Sequence, residues 1–115
     1  MVVDQVSASG MDGIFHAFAD ATRRDIVVRV ITGEYSVSEL AAHYDMSFAA
    51  VQKHVAVLER ASLVRKEKRG REQMVSVNFE AVRKARQLLD EYETIWRQRV
   101  DRISDILAED KKASS

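Results

Sequence analysis

Read as a pattern of apolar and polar positions, the chain is helical at both ends and changes period once between them. Ile14, Phe15, Phe18 and Ala19 recur at helical spacing and define a first helix face. A second helix is expected after Asp20-Ala21-Thr22, with Thr22 as its cap and Asp25 as a weak capping-box partner. Its apolar face is Ile26, Val27, Val30 and Ile31, and Gly33 ends it. Ser36 and Glu39 form a better capping box, opening a helix whose buried face is Leu40, Ala41 and Tyr44. After the turn Asp45-Met46-Ser47, Ser47 caps a further helix with core positions Val51, Val55 and Leu58. Beyond Leu63 the period falls to two. Val64, Lys66 and Lys68 lead into Arg69-Gly70-Arg71-Glu72, and then Val75 and Val77 alternate with Met74, Ser76 and Asn78. This predicts a hairpin in which Gly70 supplies the positive-φ position of the turn.

From Glu80 to Glu109 the helical period returns. Val82, Ala85, Leu89, Tyr92, Trp96, Val100, Ile103 and Leu107 form one stripe, broadened by Leu88, Ile95 and Ile106. One small domain covers only part of such a stripe, so the remainder is expected to pack on a second chain. The expected order is α-α-α-α-β-β-α: a mainly α domain with a small β-hairpin, spanning residues 11–110, whose last helix (80–109) dimerises. Residues 1–10 and 111–115 are small and polar and are expected to fray. The segment Ser36 to Asn78 then reads as a helix-turn-helix followed by a basic β-wing.

Composition changes this picture only when it is resolved along the chain. The formal net charge is +0 over 115 residues. Yet residues 48–78 carry seven bases against three acids, and residues 1–47 carry three bases against seven acids. A local positive surface of this kind suits a polyanion; a merely solvated charged face is the alternative. On the helix after Ser47 the outward positions are Phe48, Ala49, Gln52, Lys53 and Ala56. Small residues with Gln and Lys near a helix N-terminus suit close approach to base edges and phosphates, although a plain surface helix also carries them. The wing's Arg69 and Arg71, beside a glycine tip, suit a minor groove or a phosphate track, or else protect a sheet edge.

Other chemistry is scarce. The chain has no cysteine, which removes disulfides and thiolate metal sites. His16, His43 and His54 are scattered without ligand spacing, and Asp90, Glu91 and Glu93 have no histidine among them, so neither a metal nor a cofactor is expected. No nucleophile sits with a partnered base and no Gly-rich phosphate loop occurs, so an enzyme is not expected. No apolar run reaches a membrane span, and MVVDQVSASG lacks the basic and apolar regions of a signal peptide; a cytoplasmic setting is expected.

Taken together, FHAFADATRRDIV, SVSELAAHYDMSFAAVQKHVAVLERASLV, the R-G-R wing and the terminal helix resemble the ArsR-type winged-helix repressors of bacteria, over about Ile14 to Leu107. The resemblance implies a homodimer on a palindromic double-stranded operator, with the first and last helices at the interface. Phe15, Phe18, Leu89, Tyr92, Trp96, Val100 and Ile103 are the residues it places there. It also implies DNA contact by Ser47, Phe48, Ala49, Gln52, Lys53 and His54, with Lys68, Arg69 and Arg71 on the backbone or minor groove. The family often has Asp-Pro-Thr where this chain has Asp20-Ala21-Thr22, and a glycine where it has Ser62. The cysteines and the His and acid pairs of the metal-sensing members have no counterpart here. Which inducer, if any, releases the DNA is not legible. Two alternatives are a protein-interaction module on the same scaffold and a sensor of an unidentified small ligand.

Overall fold

The computed structural model describes the backbone of residues 5–113, with side chains from Gly10 onward. The elements are α1 (Gln5–Phe18), α2 (Ala21–Thr32), β1 (Tyr35–Ser36), α3 (Val37–Ala41), α4 (Phe48–Arg60), β2 (Val64–Arg69), β3 (Glu72–Val77) and α5 (Phe79–Ala113). Two compact units divide the chain at Ala85 and Arg86; the first runs from α1 into the opening turns of α5, and the second is the rest of α5. Residues 5–10, expected to fray, lie inside α1, and residues 111–113 lie inside α5. Extending a formed helix adds one hydrogen bond per residue fixed, so a nucleated helix runs past its apolar stripe until a breaker stops it. The remainder of those two expected tails lies outside the described residues.

Capping sets where the helices begin. Asp20 and not Thr22 caps α2: its backbone is extended (φ −118°, ψ 131°) and its carboxylate accepts the Arg23 N–H at 3.1 Å. A carboxylate is the stronger acceptor at this position, so the helix begins earlier and Thr22 falls inside it. The Arg23 N–H also holds the Asp20 carboxyl below its ordinary range. The box at α3 forms as expected, with Ser36 Oγ accepting from Glu39 N–H and Glu39 Oε1 accepting from Ser36 N–H, both at 3.0 Å. Ser47 Oγ accepts the Ala50 N–H at 3.1 Å to open α4.

α4 closes on a left-handed residue. Ser62 has φ 61°, its N–H donates to the Glu59 carbonyl at 2.9 Å, and the Leu63 N–H donates to the Leu58 carbonyl at 3.0 Å. These two bonds make a Schellman motif, and its customary apolar contact joins Leu58 to Leu63, both fully buried. Asn78 Nδ2 donates to the Ser62 carbonyl at 2.7 Å, fastening the helix end to the far end of the wing.

β2 and β3 pair antiparallel from Val64↔Val77 to Arg69↔Glu72, and Gly70 (φ 63°) makes the tip. β1 was not legible in the sequence, since two residues carry no period. It pairs with β3 through Tyr35↔Val75 and Ser36↔Met74, giving a three-stranded sheet in the order β1-β3-β2.

The core of the first unit gathers Ile14 and Ala17 from α1, Ile26, Val27 and Val30 from α2, Leu40 from α3, and Val51, Val55 and Leu58 from α4. The sheet region supplies Leu63, Val64 and Val75, and α5 supplies Ala81 and Ala85. Ile31, expected on the buried face of α2, is exposed, while Ala41, Tyr44 and Val82 are half-buried. Tyr44 is held by polar contacts as well: its hydroxyl donates to Asp25 Oδ2 at 2.5 Å, and Arg29 Nε donates to the same oxygen at 2.9 Å. This latch ties the end of the α3 segment to α2.

Candidate nucleic-acid interface

Ser47 is both the cap of α4 and its first outward residue. Capping turns the helix N-terminus, with its unpaired N–H groups and positive dipole end, toward solvent beside Phe48 and Ala49. One turn on, Gln52 and Lys53 are exposed on the side opposite Val51, Val55 and Leu58, which are fully buried. The buried triplet fixes the rotation of α4, so the sequence 48–53 can present its polar side chains together.

His54 stands apart from this group. It is half-buried, and its Nδ1 lies 3.2 Å from Arg23 Nη1 and 4.0 Å from Asp20 Oδ1. The imidazole therefore faces the start of α2, and the structure does not bring it together with Gln52 and Lys53. The reason is local geometry: His54 precedes the buried Val55, so its ring lies on the flank of the helix that packs toward α2.

The wing's cations divide as well. Arg69 Nη1 lies 2.7 Å from Glu34 Oε2, and Nη2 lies 3.5 Å from Glu67 Oε2, so the guanidinium bridges the wing to the residue just before β1. Glu34 raises the Arg69 pKa above its ordinary value, the hydrogen bond being the larger cause. Lys66 lies 3.6 Å from Glu59 of α4. Lys53, Lys68 and Arg71 have no such carboxylate partner in the ion pairs of the described residues, and all three are exposed. Three of the chain's cations on this face are thus available to an external anion.

Between the wing and the two helices of the motif lies a cleft of about 240 Å³. Phe48, Gln52 and Val55 line it from α4, Lys66, Arg71, Glu72 and Gln73 from the wing, and Val37 and Ser38 from the start of α3. Ser38, Lys66 and Gln73 were not picked out as site residues by sequence reasoning. Lys66 was visible as part of the basic hairpin, but Ser38 and Gln73 carry no signal until β3 and the start of α3 are brought together.

Comparison with known proteins identifies the fold's family. The family model described as bacterial regulatory protein, arsR family, matches residues 20–66, from the cap of α2 into β2. The crystal structure of an ArsR family transcriptional regulator is 33% identical, covers 78% of this chain and 93% of its own, and superposes with a TM-score of 0.75. The HTH-type transcriptional regulator Rv2034 of Mycobacterium tuberculosis is 45% identical over 53 residues, a match spanning 46% of this chain and 50% of that protein's length. The transcriptional repressor SdpR of Bacillus subtilis is 26% identical over 68 residues, covering 59% of this chain and 76% of its own. The helix-turn-helix, the wing and these relatives point the same way: the chain belongs to the ArsR family of bacterial transcriptional regulators, whose winged helix-turn-helix binds DNA.

Proposed function

We propose that the chain is a homodimeric repressor that occupies a palindromic operator in the cytoplasm. The N-terminal half of α4 enters the major groove, and the wing follows the flanking backbone. The observation that carries this reading is the meeting, across one cleft, of Gln52 on α4 and Arg71 of the wing, with Lys53 exposed next to Gln52. Gln52 has the amide needed to bond an adenine edge, Phe48 can meet a thymine methyl, and the small Ser47 and Ala49 leave room for close approach. Lys53, Lys68 and Arg71 contact phosphates, and the strand passing from major to minor groove runs along the cleft past Ser38 and Gln73. Glu34 neutralises Arg69 on this surface and so masks its charge from DNA, while the same ion pair joins the wing to the residue before β1.

The dimer reading rests on α5. Leu89, Tyr92, Trp96, Val100 and Ile103 are all exposed, Trp96 by 60%, in a stripe that continues to Leu107. Contiguous apolar exposure of this kind marks an interface. Phe15 is exposed on α1 and suits the same role, whereas Phe18 packs partly against its own core. Two-fold pairing presents two reading heads about one DNA turn (~34 Å) apart. The assignment as a repressor is supported by the similarity to SdpR. With no cysteine in the chain, release from DNA does not use a thiolate metal site.

The test is selection of DNA by the wild-type protein from random duplexes, followed by anisotropy titration of the selected sequence. A palindromic consensus, bound at two chains per duplex, is expected. Recovery of no consensus, or binding by one chain per duplex, contradicts the reading.

A further inference from the structure

Arg23 makes more hydrogen bonds than a surface arginine requires. Its Nε donates to the Ala17 carbonyl at 2.9 Å and its Nη2 to the His16 carbonyl at 3.1 Å, satisfying carbonyls at the C-terminal end of α1. Its remaining amine, Nη1, lies 3.2 Å from Nδ1 of His54 on α4. Arginine has only donors, so the imidazole must accept, which requires Nδ1 to be unprotonated. One side chain on α2 thus joins the end of α1 to the flank of α4.

We propose that Arg23 is a positioning residue for DNA reading, holding α4 at its working angle to α1 through a neutral His54, so that protonation of His54 weakens operator recognition. The proposal rests on the reading of α4 as the helix in the groove. Among the described residues, the charged groups in polar contact with the ring are Arg23 and Asp20, both from the start of α2, and α1 contributes the two carbonyls that Arg23 holds. A proton on Nδ1 converts an acceptor into a donor opposite another donor, and places two like charges together. Asp20 Oδ1, 4.0 Å away, is the acceptor that a protonated ring turns toward. The ring therefore has two partners, one for each protonation state, and only the neutral state ties α4 to Arg23. Base readout depends on sub-ångström placement of side chains on α4, whereas phosphate attraction tolerates a shift of the helix. Loss of the tie should lower the preference for operator over other DNA more than it lowers binding as such.

The experiment compares wild type, Arg23→Ala, His54→Asn and Gln52→Ala on two duplexes, the sequence selected by the wild-type protein and a scramble of equal composition. Affinities are measured at constant salt at about pH 8 and about pH 5.5, a span over which imidazoles as a class change charge. Wild type is expected to lose about tenfold in its operator-to-scramble ratio on acidification. Arg23→Ala should show the lowered ratio already at the higher pH, with helix content by circular dichroism and assembly state by sedimentation unchanged. His54→Asn keeps an acceptor near the position of Nδ1 but cannot take up a proton, so its ratio should not depend on pH. An acid response in His54→Asn equal to that of wild type overturns the proposal, and so does an undiminished ratio in a folded Arg23→Ala. Gln52→Ala separates the two levels. If it lowers base preference while Arg23→Ala does not, only the positioning role fails; if it has no effect, the reading of α4 beneath the proposal fails too.

Discussion

Two residues in unfavourable or highly connected positions give the sharpest tests of how the fold is held. Ser62 takes the left-handed conformation that α4 needs to end, a conformation costing a non-glycine residue roughly 1 kcal/mol or more. Ser62→Gly is expected to stabilise the protein by up to about 1 kcal/mol, offset in part by the freer unfolded chain, and to raise the urea midpoint with an unchanged m-value. The second residue is Tyr44. Its hydrogen bond holds the Asp25 carboxyl below its usual range, with the bond from Arg29 next in importance. Burial, and then the Asp25 carboxylate, push the Tyr44 phenol up to about 12. The two limbs have opposite signs. The depressed Asp25 contributes stability above the ordinary carboxylate range near pH ~4, lost as acid protonates it. The raised Tyr44 contributes stability below about pH 10, lost as the pH climbs toward the folded value. Tyr44→Phe should therefore flatten the alkaline limb of the stability profile and weaken the acid limb. Thermal melts across pH decide this, and an alkaline limb identical to wild type contradicts it.

At the scale of elements, the wing has a mechanical part and an electrostatic part. Arg71→Ala or Lys68→Ala should reduce the slope of log affinity against log salt by about 0.9 for each phosphate left without its cation. Glu34→Gln should act oppositely: it releases Arg69 from its 2.7 Å partner and should tighten binding to any duplex, most of all at low salt. Anisotropy titrations over a salt series test both, and a Glu34→Gln protein binding scrambled DNA no better than wild type contradicts the assigned role of that pair. These distinctions mark where sequence stops informing. The Ser36–Glu39 box, the Ser47 cap, the buried Val51, Val55 and Leu58, and the Gly70 tip were all legible, because each depends on residues within a few positions of one another. The Asp20 cap differs from the expected Thr22 because both residue types cap helices and only the extended backbone at Asp20 decides between them. β1, the Arg69–Glu34 pair and the Arg23–His54 hydrogen bond were illegible for a different reason. Each joins residues distant in sequence, and nothing periodic announces them.

For the whole molecule, the exposed face of α5 governs assembly. Trp96→Glu should place a charge within the proposed interface and convert the dimer to monomer in sedimentation velocity, with the helices retained. Operator affinity should fall by at least tenfold, because two linked reading heads become two separate binding events. A Trp96→Glu protein still dimeric at micromolar concentration shows that α5 does not carry the interface. Within the first unit, Ser36 has a wider consequence. It is the last residue of β1, paired opposite Met74, and at the same time the cap of α3. The sheet and the reading motif thus share one residue, with no spacer between them in which a length change could be absorbed. Inserting a residue between Tyr35 and Val37 must break either the strand register or the capping box. The opposite end of the hairpin is free of this constraint, since Gly70 has open space around it and β1 reaches only to Val75 and Met74. The tip is accordingly where residues can be spliced in to give a longer wing and a wider DNA footprint while the reading helix stays as it is.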